Sequence, residues 1–102
     1  MDGPSFFPEA LRAIVADLRE GDHAHPRLNR AEAAIDHLGR RLHGLGYVRG
    51  GEIADRLTAA LGELGAAHHL REEERGTPVH QAVVHLEAAL DGTGAGVLPA
   101  AP

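Results

Sequence analysis

The chain has no cysteine and no tryptophan, and its ten basic residues are all arginine, with no lysine among them. Without cysteine there is no disulfide framework, no thiolate nucleophile and no zinc-ribbon site. Without lysine there is neither Schiff-base chemistry nor a Walker-type phosphate loop. Ser5 is the only serine, and no G-x-S-x-G elbow surrounds it, which excludes the usual serine-hydrolase layout. Any catalysis would have to rest on His, Asp, Glu, Arg, Tyr47 or a bound metal. An enzyme is the less favoured expectation.

Long apolar runs are also missing. Nothing approaches the ~18 residues of a membrane span. No basic residue precedes Arg12, so the charged start of a secretory signal is lacking. The expectation is a cytoplasmic protein without a membrane partner. The net charge of −5 argues against nucleic acid, which asks for a basic face. Arg27 with Arg30, and Arg40 with Arg41, are the only basic concentrations, and acidic residues lie among them, as on a solvated helix face. The abundance of alanine and glycine, with arginine in place of lysine, matches GC-rich coding and weakens arginine as a sign of phosphate recognition.

What is present is helical periodicity in 102 residues, a length for one domain. Leu11, Ile14, Val15 and Leu18 recur at helical spacing after Pro8 and before Gly21, read as a C-cap. Leu28, Ala31, Ile35, Leu38, Leu42 and Leu45 form a second stripe, opened by Pro26 or, a turn later, by Asn29 with Glu32 as a capping box, and closed by Gly44 and Gly46. Ile53, Leu57, Leu61, Leu64 and His68 form a third, at spacings of 4, 4, 3 and 4, with His68 where a leucine belongs. Gly62 and Gly65 beside that stripe would permit either close helix approach or a bend. Thr77-Pro78 is the clearest boundary, an N-cap followed by proline, and Val79, Val83, Leu86 and Leu90 follow it up to Gly92.

The spacing therefore predicts an all-α, antiparallel four-helix bundle with helices over about 8–20, 26–44, 51–75 and 78–91. A tail over 1–7, whose Phe6 and Phe7 cap one end of the core, precedes this single helical domain, 8–91, and a flexible C-terminal tail, 92–102, follows it. About seventeen inward aliphatics are few for a free-standing bundle. A homodimer burying leftover apolar surface is the expected remedy.

The remaining lead is histidine. There are eight, and protonating all of them would carry the formal charge from −5 to +3, so mild acid should be felt. His68-His69-Leu70-Arg71-Glu72-Glu73-Glu74-Arg75 is the densest cluster. On a continuous helix His68 and Glu72, and His69 and Glu73, stand on neighbouring turns and could share a divalent metal such as zinc, nickel or iron, with His80 or His85 added from the next helix. The competing reading pairs Arg71 and Arg75 with the glutamates and leaves His68 as a core-edge residue bonded to a neighbour. Arg30 with His37, and Arg75 with His80, have the spacing of an Arg/His pair that acts on an anionic phosphodiester. His23-x-His25 is a polar connector with two potential ligands.

Arg27-Leu28-Asn29-Arg30-Ala31-Glu32 is similar to the opening of the first helix in the small helical copper- and formaldehyde-sensing repressors, a family that relies on cysteine. Ile35-Asp36-His37-Leu38, with Arg40, Arg41 and Leu42, resembles part of the first helix of all-helical chorismate mutases, whose site uses a lysine. This chain supplies neither residue, so neither activity is carried over. The leading functional expectation is a small interaction or regulatory protein that presents a helix face to itself or to a protein partner. The metal-binding protein and the small enzyme acting on an anionic ligand are its alternatives.

Overall fold

A computed structural model describes residues 3–94. It contains four α-helices, α1 (Gly3–Glu20), α2 (His25–Arg41), α3 (Gly50–Ala67) and α4 (Gly76–Gly92), with 3₁₀ turns at Leu42–Leu45 and Glu72–Glu74. Each helix packs against its two neighbours in a ring, α1 on α2 and α4, and α3 on α2 and α4, which is the antiparallel bundle the periodicity predicts. No helix among the described residues is long and apolar enough to cross a membrane.

The stripes face inward as their spacing requires. Leu11, Leu18, Leu28, Ile35, Leu38, Ile53, Leu57, Leu64, Val79, Val83 and Leu86 are all buried. α3 and α4 make the most extensive contact of any two helices, and their fully buried alanines (Ala60, Ala67, Ala82 and Ala89) are small enough to let the axes approach. Gly92 extends this closeness to the end of the pair, since a Cβ there would come within 2.9 Å of Ile53 Cγ1.

Several boundaries differ from those expected. α1 starts at Gly3 rather than Pro8, because Phe7, four residues before Leu11, continues the apolar stripe and is fully buried. Pro8 consequently lies inside the helix and not at its start, where it forgoes one hydrogen bond close to an end that lacks partners anyway. Gly21 is not a left-handed C-cap; among the described residues the only glycines of positive φ are Gly46 (73°) and Gly94 (84°). Its lack of a Cβ instead leaves room for the Arg27 guanidinium, which pairs with Asp17 and Asp22. α3 ends at Ala67, eight residues short of the expected Arg75. α4 begins at Gly76, so Thr77 is inside its first turn instead of capping it, and Pro78 occupies a position whose N–H would have had no helical partner. The C-terminal tail expected over 92–102 lies outside the described residues from 95 onward.

The bundle has two unlike ends. At one, the 3₁₀ turn Leu42–Leu45 stops at Gly46, and Tyr47 packs its ring 5.6 Å from that of the buried Phe7, while Arg41 covers Phe6. Burial raises the Tyr47 phenol above its ordinary value of 10.0. A neutral phenol favoured by the fold gives stability that is whole below that value and is lost as pH rises through the folded-state value. Since Tyr47 is the only tyrosine and there is no tryptophan, phenolate absorbance reads this site alone. An alkaline titration should give a midpoint above 10.0 in the native protein that falls to the ordinary value in urea.

Candidate functional site

At the other end the α1–α2 connector meets the segment between α3 and α4, and here four polar side chains join in a row. Arg75 is the only charged residue buried in the described structure, at 6 % exposure. Its Nε donates to the carbonyls of Ala67 and Leu70, both at 2.9 Å, and its Nη1 to the carbonyl of His23 at 2.8 Å. Its Nη2 lies 3.0 Å from His25 Nε2. Then His25 Nδ1 lies 2.6 Å from His68 Nδ1, and His68 Nε2 lies 3.0 Å from Glu32 Oε1.

Local sequence explains each position. α3 ends at Ala67, leaving carbonyls at its C-terminus with a partial negative charge, which a guanidinium satisfies as a C-cap. His68, as the C-cap residue of α3, still points along the core stripe, and 21 % of its side chain is exposed. Pro26 fixes the start of α2, and His25 immediately precedes it. Glu32 lies two turns along α2, with 25 % of its side chain exposed. Arg75 ends the short segment after the turn Glu72–Glu74, which is clamped by Arg71. The Arg71 side chain, and after it the Arg71 backbone N–H, hold Glu74 below its ordinary value of 4.5.

The two ends of the row dictate its protons. An arginine can only donate, so His25 Nε2 must accept and its proton must sit on Nδ1. That proton points at His68 Nδ1, which therefore accepts, and the proton of His68 sits on Nε2 and goes to the Glu32 carboxylate. Every N–H points from the cation toward the anion, an arrangement in which each bond polarises the next. The imidazole planes are within 5° of parallel with centroids 4.8 Å apart. An N···N separation of 2.6 Å is shorter than the ~3.5 Å of face-to-face contact, so the rings meet edge to edge through a hydrogen bond and are not stacked on one another. The row is an ion pair drawn out through two neutral imidazoles, and it ties α2, the α1–α2 connector, the end of α3 and the start of α4 together.

The residues expected to hold a metal are distributed differently. With α3 ending at Ala67, His68 and Glu72, like His69 and Glu73, do not occupy successive turns of one helix. His68 has both ring nitrogens engaged within the protein. His69, Glu72 and Glu73 are exposed, and Glu73 contacts Arg71. His80 is exposed on α4, beside a shallow cleft that Arg19 and His23 also line. His85 lies further along α4, next to Arg56 at 3.1 Å. Among the described residues no group of three His, Asp or Glu side chains is placed to share a metal ion. Arg71 does pair with glutamates, as one reading of the sequence had it, but Arg75 pairs with none of them: it turns inward to carbonyls and His25. Nor does Arg75 join His80.

Sequence reading named His25 as a potential ligand beside His23 but joined neither it nor Glu32 to His68. His25 stood in a polar connector, and Glu32 was a capping-box candidate. Their partner His68 is 43 residues from the first and 36 from the second, so no local pattern links them. The one available signal was His68 itself, a polar residue on an apolar stripe that needs a bonded neighbour when partly buried.

No family model, curated protein or solved structure matches this chain.

Proposed function

We propose that the protein is a small helical interaction module that works by pairing with a second copy of itself across the α2–α3 face. The observation that carries this reading is a groove with its own plug. Between α2 and α3 runs an open groove of about 430 Å³ bordered by Ile35, Gly39, Leu57 and Leu61. It adjoins a hollow of about 240 Å³ at the α2–α3 connector, and His43 and Ala54 border both. At the rim of that hollow Val48 is fully exposed, and Gly46, Gly50 and Gly51 keep the hollow open.

A knob beside a hollow on one surface is self-complementary under a twofold axis, where each copy's Val48 enters the other's hollow. The groove's rim carries both signs, Asp36 and Arg40 being paired at 2.9 Å with both side chains exposed. A twofold can exchange that pairing between copies without leaving a charge unmatched. Exposure of a valine to water is unfavourable on its own, and its removal at an interface gives a modest gain per copy.

Sedimentation or light scattering across a dilution series tests this. The expected result is a dimer that dissociates on dilution, and a monomer at every concentration for Val48→Asp, with helicity unchanged because the residue contributes nothing to the core. A wild-type protein that is monomeric throughout would remove the proposal.

A further inference from the structure

We propose that the Arg75–His25–His68–Glu32 row is an acid-released latch, which holds the connector ends of the bundle together at neutral pH and lets them part when the histidines take up protons. The inference is independent of self-association.

The row has four ring nitrogens and holds two protons on them. A third proton has no place. On His25 Nε2 it would face the Nη2–H of Arg75, cation against cation at 3.0 Å. On His68 Nδ1 it would face the Nδ1–H of His25 across 2.6 Å. His25 cannot yield by shifting its own proton, because it would then have to accept from Arg75 on a nitrogen that carries the proton. Glu32 favours a charged His68, so the conflict is created by Arg75 at the far end of the row. A guanidinium keeps its proton at every relevant pH.

When the ends part, both imidazoles are free to bind a second proton, which an ordinary histidine does below about pH 6.5. The open form then holds more protons than the closed one, and linkage makes acid favour opening. His25 is solvent-exposed, so protons reach the row without prior unfolding.

Other charged groups face this end. Asp17 and Asp22 pair with Arg27, and Arg71 pairs with Glu73 and Glu74. Asp22 is held below its ordinary 3.8, by the Ala24 N–H first and then by Arg27, and Glu74 is held below 4.5, so both remain ionised across the histidine range. His23, His69 and His80 also stand at this end, without any bond to the row's ring nitrogens.

Amide hydrogen exchange of the full chain, corrected for intrinsic rates, tests the latch between about pH 7.5 and about pH 5. The amides of His69 and Leu70, bonded to Ala66 and Ala67 carbonyls, report on the latch end, and those of Gly50 and Ile53, bonded to Tyr47 and Arg49, report on the opposite end. The expected result is a rise in exchange at the latch end of about tenfold per pH unit below ~6.5 for each proton taken up, with the opposite end unchanged. His25→Gln, which still accepts from Arg75 but does not titrate there, and His68→Gln should each reduce the rise, while His37→Gln, at an exposed site on α2, should not. Nitrogen-15 shifts in the wild type at neutral pH should place the proton of His25 on Nδ1 and that of His68 on Nε2. A charged His25 at neutral pH, the opposite tautomers, an equal rise at both ends, or an undiminished rise in both row variants would overturn the latch.

Discussion

Arg75→Leu should lower the unfolding free energy by about 3 kcal/mol, a large share of the 5–15 kcal/mol of a small domain. The leucine roughly fills the volume of the stem but strands the carbonyls of Leu70 and His23 and the Nε2 lone pair of His25. A fully buried acceptor left without a donor costs about 1–3 kcal/mol, and each of these three, being only partly buried, falls short of the top of that range. The Ala67 carbonyl suffers less, since the Leu70 N–H still reaches it at 3.0 Å. Against these losses stands the relief of no longer desolvating a guanidinium, which keeps the total below the simple sum. Arg75→Lys retains the charge but cannot fork between the end of α3 and the connector, and should recover less than half of the loss. Urea titration followed by far-ultraviolet circular dichroism gives both values, with an unchanged slope if the unfolded state is unaffected. A loss below about 1 kcal/mol for the leucine variant would mean that water replaces these bonds at no cost, and that the guanidinium is not what ends α3.

That last point explains why the fold was legible in the sequence while the site was not. Leu28, Ile35, Leu38 and Leu42, or Val79, Val83 and Leu86, announce a helix through spacing alone, and all of them are buried. Nothing local ends α3: no glycine or proline falls between Gly65 and Gly76, and the stripe runs on to His68. The stop is tertiary, a guanidinium reaching eight residues back to the Ala67 carbonyl, and it could be seen only once the chain had folded. Losing those helical turns is what dissolves the His/Glu spacing that suggested a metal. The same geometry sends His68 to His25 and Glu32. The Thr77-Pro78 boundary shows the converse: the signal was right that a helix starts there, and wrong about which residue caps it, because a proline is tolerated anywhere in a first turn.

Gly62→Ala and Gly65→Ala should each stabilise the protein by about 1 kcal/mol, the helix-interior difference between the two residues. Neither glycine is held in place by its surroundings. A Cβ at either position meets nothing within 4 Å, neither has positive φ, and α3 runs unbroken through both. The close approach or bend that the sequence allowed is therefore not what they provide. Gain comes from the unfolded chain, which loses freedom when a Cβ is added, and from removing backbone exposure in the helix. The sites are neighbours on one helix face, but a methyl at either meets no other group within 4 Å, so the effects should nearly add, for a rise in Tm on the order of 10 °C in the double variant. Gly92→Ala supplies the contrast. There the new methyl would stand 2.9 Å from Ile53 Cγ1, and the same substitution should destabilise unless α3 and α4 separate by a few tenths of an ångström. Thermal unfolding of the three single variants and the double reads the difference in sign directly. Should Gly62→Ala and Gly65→Ala stabilise the dilute protein but weaken its self-association, the open side of α3 would belong to the paired surface as well.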